Sequence, residues 1–343
     1  MFALDRAMSR MLRAWKAPMK PQPIKPMPKV MLLLLSTLYV PARTLSGARI
    51  EFKSGSREME AIMKIGIFGI GSGICADPAV ARQVAQAAEH AGLESVWTGE
   101  HVVLPDPQVT PSPAPPLFPM LHPSTVLAYL AAVTERVKLG TGIVLIAQRN
   151  PVVLAKEMAS LDVLSSGRLI LGIGAGYLEP EFRALGVPFA DRGARTDEFI
   201  AAMRVLWRDD APVFDGRFVG FGGIQSRPRP AQPGGPPIVV GGASDAAIER
   251  AVRVGQGWYG FAMDVDAARG CIERLGAAQS RWGRGEELGD LEISITPRGR
   301  LTADLVNRFA DAGVHRLIAL LPQDSEAKAL DAVAELGTLT HRR

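Results

Sequence analysis

Glu100 and His101 directly follow a short apolar run, Ser95 to Thr98. Histidine changes protonation near neutral pH, so at a strand end His101 is placed to touch a ligand or pass a proton. Glu100 reads as its orienting neighbour or as a solvated group. Further along, Gly172, Gly174 and Gly176 alternate before Tyr177, with Ala175 between the last two, and Gly241-Gly242-Ala243-Ser244 forms a second small-residue turn. Glycine turns that lead into helices expose backbone N–H groups to an anion, phosphate above all. Two adjacent turns fit a phosphate on a long ligand. Thr141-Gly142-Ile143-Val144 ends another apolar run. No Ser or Cys sits in a Gly-x-Ser-x-Gly elbow, which argues against a nucleophile. Cys75 and Cys271 belong to no Cys-x-x-Cys pair, and no metal site or disulfide framework is indicated.

Positioning these residues requires a scaffold that presents many strand ends together. Apolar runs of strand length recur at Lys64 to Ile70, Ser95 to Thr98, Lys138 to Ile143, Arg168 to Ile173, Pro237 to Gly241, Gly257 to Phe261, Leu291 to Thr296 and His315 to Leu321. Between them lie amphipathic helical stretches. Pro78 to Ala91 aligns Val80, Val84, Ala87, Ala88 and Ala91, and the stretch after Pro151 aligns Leu154, Met158 and Leu161. Asp77-Pro78 and Asn150-Pro151 are helix starts, and Gly92 and Gly167 are helix stops. Apolar strands alternating with helices imply a covered parallel sheet, and eight such units imply the α/β fold class of the (β/α)8 TIM barrel with loop insertions.

In such a barrel the chemistry sits at the C-terminal strand ends. Glu157, Asp162 and Arg168 read as structural ion pairs and caps, His122 and His315 as structural, and Trp258 and Tyr259 as core more than ligand platform. Val213 to Pro237 predicts a small hairpin and a Pro-rich excursion. Substrate choice is expected from Pro105 to Leu121, from that insertion and from the loops after strands seven and eight.

The 343-residue chain is 47% hydrophobic and 22% charged, an ordinary globular composition. Its net charge of +4 is unevenly placed: Met1 to Ile62 carries eleven Lys/Arg against four Asp/Glu, or +7, which leaves −3 for Met63 to Arg343. Nucleic acid is therefore not an expected partner. Residues 1–62 read as a basic N-terminal extension, disordered or untranslated, and residues 63–343 as one domain. The run VMLLLLSTLYV after seven basic residues resembles a secretory signal or weak anchor, too short for stable membrane insertion. The competing start at Met63, where MKIGIFGI opens directly into a strand, is preferred. A cytoplasmic location follows from that start and from the cysteine usage.

The series EHAGLESVWTGEH, TERVKLGTGIVLIAQRNPVVLAKEMASLDVLSSGRLILGIGAGYLEPEFRALGV, R-x-x-R-x-D-E-F, PPIVVGGAS and GQGW resembles the bacterial luciferase-like monooxygenase family. The EH and GTGIV pattern is most similar to the branch that uses the deazaflavin coenzyme F420. The resemblance implies a (β/α)8 barrel, and a flavin or deazaflavin ring lying over a bulge with a non-prolyl cis peptide at Gly142–Ile143, next to Val144. It places His101 near the reactive centre, and Gly174, Ala175, Gly176, Gly241, Gly242 and Ala243 in phosphate-holding turns. It also implies a homodimer, hydride transfer with a small organic substrate and, for the alternative cofactor FMN, oxygen activation with a partner flavin reductase. No residue separates F420 from FMN, and a barrel that binds such a ligand without turnover remains a third reading.

Overall fold

The computed structural model describes residues 63–340. The basic extension and its signal-like run lie outside the described residues. All eight expected strands are present: β1 (Lys64–Phe68), β2 (Ser95–Thr98), β3 (Lys138–Thr141), β4 (Leu169–Gly174), β5 (Ile238–Gly241), β6 (Gly257–Met263), β7 (Glu292–Pro297) and β8 (Arg316–Leu320). Each pairs in parallel with the next. The sheet closes where Lys64 of β1 meets Arg316 of β8, and β3 joins β4 through Leu139 with Leu169. The result is a closed (β/α)8 barrel, as the strand count requires.

Helices follow the strands: α1 (Pro78–His90), α2 (Pro123–Val133), α3 (Pro151–Leu164), α4 (Glu179–Ala184), α5 (Arg192–Arg208), α6 (Asp245–Val254), α7 (Val265–Trp282), α8 (Ala303–Asp311) and α9 (Glu326–Thr340). Two begin as their sequences dictate. The Asp77 side chain accepts N–H bonds from Ala79 and Val80, and that of Asn150 from Val152 and Val153. Gly92 and Gly167 follow α1 and α3 with φ of 76° and 78°, a conformation that favours glycine at helix stops.

Alternation along the strands makes two cores. Val96, Leu139, Leu171, Val240 and Leu317 belong to the large core that includes the helices, whereas Trp97, Ile170, Val239, Tyr259 and Ile318 pack together as a separate cluster. Gly140 makes room in that second cluster, since a Cβ on it would stand 2.3 Å from the Trp97 ring. At the opposite end of the strands from the glycine turns, the fully buried Arg316 donates to both carboxylate oxygens of Glu94, at 2.9 and 3.0 Å, and pairs with Glu292 at 2.7 Å. Burial alone would raise the Glu94 carboxyl, but Arg316 and Lys138 outweigh it and hold it at about 2.

Several structural residues differ from expectation in their means. Among the described residues none of Glu157, Asp162 and Arg168 forms an ion pair. Asp162 instead accepts from the backbone and amide nitrogens of Gln232, at 2.8 and 2.7 Å, and so pins the Pro-rich excursion. Arg168 spends its donors on the carbonyls of Ala131, Thr134, Val137 and Ser165 and on the Thr134 hydroxyl. The hairpin forms from Phe214–Asp215 and Gly220–Phe221, with its tip N–H groups at Arg217, Phe218 and Val219 donated to Glu198. His315 is structural, accepting the Ile293 N–H. Cys75 and Cys271 are buried free thiols, and burial with nearby Glu326 pushes Cys75 up to about 11.

Candidate active site

The C-terminal strand ends open into a cavity of about 870 Å³. Its floor is built by Ile143. The Gly142–Ile143 peptide is cis, and the chain then rejoins the sheet, with Val144 and Leu145 pairing with Ile173 and Gly174. The Ile143 side chain lies against three glycines: a Cβ on Gly174 would stand 2.1 Å from its Cδ1, one on Gly241 2.9 Å from it, and one on Gly172 3.3 Å from its Cγ2. At Gly172 the same Cβ would also meet the Thr141 carbonyl oxygen at 1.8 Å. These glycines therefore have a packing role that the sequence reading did not give them. They form the trough in which the floor residue sits. Val144 is fully buried and does not line the cavity, because its side chain belongs to the outer core; Leu145 lines it instead.

Glu100 holds this floor segment in place. Its buried carboxylate accepts the Leu145 N–H at 2.6 Å and a guanidinium bond from Arg149, with His122 Nε2 at 3.7 Å. The partner of His101 is a different acid. Nδ1 of His101 lies 3.2 Å from Oε2 of Glu181 on α4, while Oε1 of Glu181 accepts the Val102 N–H at 2.6 Å. Burial alone would raise Glu181, but its bonds with His101 and Val102 hold the carboxyl below the usual carboxylate range. An ionised Glu181 accepts from Nδ1–H, and in the tautomer that makes this bond Nε2 carries the lone pair.

The Tyr177 hydroxyl stands 3.4 Å from Nε2 of His101, and burial and Glu181 push its phenol up, so it remains a donor. Glu181 is legible only in hindsight, as an acid between the buried apolar residues Leu178 and Phe182.

The other predicted residues converge on the same cavity. Gly174, Ala175, Gly176 and Tyr177 line it from the end of β4 onward, and Gly241, Gly242, Ala243 and Ser244 from the end of β5 onward. Gly176 and Gly242 have φ of 84° and 112°, conformations that a side chain would strain. Trp258 fixes the second turn by donating its indole N–H to the Gly242 carbonyl at 2.8 Å, and Ser244 caps α6 by accepting the Ala247 N–H. Tyr259 is buried, stacks with Trp97 at 5.8 Å and bonds Thr296, yet it also reaches the cavity.

Two cations here had no assigned role in the sequence reading. Arg192 donates to the Gly176 carbonyl at 3.1 Å and stacks on Phe189 at 3.8 Å, and among the described residues no carboxylate pairs with it. Arg250 lines the same end, doubly bonded to Asp197. The motif R-x-x-R-x-D-E-F contains Arg192 and Asp197, so this end was visible as a pattern without a role.

Residues Pro113, Ala114, Phe118 and Met120 line the cavity as expected of the Pro-rich loop. The insertion before β5 and the loop after β7 do not. Phe261 and Met263 of β6, Leu320 at the end of β8, and Leu321 and Gln323 after it complete the wall. Among the described residues there is no cluster able to hold a metal ion and no helix long and apolar enough to cross a membrane.

The chain is thus a closed parallel barrel whose C-terminal strand ends surround a cavity with an apolar floor and two glycine turns. Residues 62–336 match the family model for luciferase-like monooxygenases, and the chain belongs to that family. Uncharacterized proteins of Mycobacterium bovis and Mycobacterium tuberculosis are 30% identical over 263 residues, covering 74% of this chain and 91% of theirs. The FMNH2-dependent dimethylsulfone monooxygenase of Pseudomonas putida is 30% identical over 172 residues, 49% of this chain and 47% of its own. An F420-dependent secondary alcohol dehydrogenase, solved with an F420–acetone adduct, superposes with a TM-score of 0.66 at 16% identity, covering 82% of this chain and 99% of its own. An FMNH2-dependent protein thus stands among its sequence relatives, and an F420-dependent protein among the structures that share its fold.

Proposed function

We propose that the protein is an F420-dependent oxidoreductase that transfers a hydride between the deazaflavin and a small organic substrate. The observation that carries this reading is the bond of buried Glu181 to His101, which lines the cavity with its Nε2 paired to no carboxylate among the described residues. The cavity suits a long anionic cofactor. Ile143 offers an apolar face for a ring, and the Gly176 and Gly242 turns with the α6 N-terminus and Arg192 offer N–H groups and positive charge for a phosphate. When bound, the deazaflavin gives or takes a hydride, and the protein supplies placement and proton management.

His101 Nε2 then receives the substrate hydroxyl proton during oxidation and returns it during reduction, with Glu181 stabilising the imidazolium that forms between. Tyr177 keeps this nitrogen covered until a substrate oxygen replaces its hydroxyl. A secondary alcohol deuterated at the carbinol carbon tests the reading: deuterium recovered in reduced F420 supports it, and an enzyme that turns over only with FMNH2 and oxygen overturns it. The FMN reading is favoured by the Pseudomonas putida relative and would require a separate reductase. A homodimer is the assembly that the family resemblance supports, and sedimentation of the full chain tests it.

A further inference from the structure

The cavity has two chemically different ends, and the barrel order places them apart. Arg192 and Arg250 stand on the helices that follow β4 and β5, beside the glycine turns. Four strands away round the closed sheet, β8 and β1 present Leu320, Leu321 and Phe68, with Phe118 and Met120 contributed by the loop after β2. Phe261 of β6 packs edge-on against Phe68 at 5.2 Å. Phe261 and Leu320 are 50% and 46% exposed although both line the cavity, so this wall is apolar surface facing its interior.

The polar groups at this end are already engaged. Ser72 Oγ lies 3.0 Å from the Gly69 carbonyl oxygen and 3.4 Å from Gln323 Oε1, and the Gln323 amide donates to the Leu321 carbonyl. The Glu100 carboxylate is occupied by Leu145 and Arg149.

We propose that the substrate is a neutral, apolar carbonyl compound or the corresponding alcohol, seated on Phe68, Phe261 and Leu320 with its oxygen toward His101, and that anionic substrates are rejected at this end. Contact between the oxygen and His101 rests on the hydride-transfer reading, whereas the apolar seat rests on the lining alone. An ionised group entering here loses its hydration and meets no counter-charge, while an alkyl or aryl group covers Phe261 and Leu320.

The test is calorimetric titration of the full chain, loaded with whichever of F420 or FMN it holds, with acetophenone and with 4-acetylbenzoate. The neutral ketone is expected to bind at least about tenfold more tightly than its carboxylate analogue. Leu320→Lys places a cation on an exposed position, so folding is retained, as circular dichroism checks, and the preference shrinks or reverses. Equal affinity for the pair, tighter binding of the carboxylate, or no binding of the ketone up to its solubility overturns the proposal. Cofactor choice is read from the separate cofactor titration, so a failure of the F420 reading and a failure of the apolar seat are distinguishable.

Discussion

Glu181 grips two consecutive residues after β2: one carboxylate oxygen lies 3.2 Å from His101 Nδ1 and the other accepts the Val102 N–H at 2.6 Å. Position and tautomer of the imidazole are set together by this grip. Glu181→Gln keeps the shape and removes the charge that stabilises the imidazolium. With F420 as cofactor, turnover is expected to fall about 10- to 100-fold while cofactor affinity changes little, measured as kcat against Kd. Unchanged kcat would remove Glu181 from proton handling.

Gly174→Ala tests the floor. Its Cβ would fall 2.1 Å from Ile143 Cδ1, so Ile143 must shift or the strand must move. A loss of about 1–3 kcal/mol of stability is expected, with weakened binding of the cofactor ring. Denaturant melts and a cofactor titration check the two effects separately.

Arg192→Ala removes a guanidinium that no described carboxylate neutralises, at the glycine-turn end of the cavity. Cofactor affinity should drop about tenfold, and the salt dependence of binding should flatten. Stability should change less than in Arg250→Ala, which breaks the bonds to Asp197 as well.

At the far end of the barrel, Glu94 is held at about 2, against an ordinary 4.5, because Arg316 and Lys138 overcome the effect of burial. Its folded-state value lies below its unfolded one, so its contribution is complete above about pH 4.5 and is lost as pH falls through about 2. Glu94→Gln should destabilise the protein by about 3 kcal/mol at neutral pH and blunt the acid-induced loss of stability in that window, as urea melts at several pH values will show.

Much of the barrel was legible because its strands have plain sequences: Arg168 to Ile173 is a nearly continuous apolar run, Leu291 to Thr296 alternates apolar with polar residues, and both strands form within a residue of the expected bounds. The glycine turns were legible as turns. Their packing role was not, because the contact between Gly174 and Ile143 joins two strands and depends on the path of the chain after Gly142. Glu181 was hidden for a related reason, since its partner His101 lies 80 residues away in the chain. Glu100 sits beside His101 in sequence but is directed to Leu145 and Arg149. Adjacent side chains at a strand end diverge, and proximity in sequence was a poor guide there.

Fluorescence titration of the full chain with F420 and with FMN tests the central claim most directly. Saturable quenching is expected with F420 at micromolar concentrations or below, about 8 kcal/mol or more of binding free energy, with FMN weaker by at least about tenfold. Tight FMN binding with none for F420 would contradict the account.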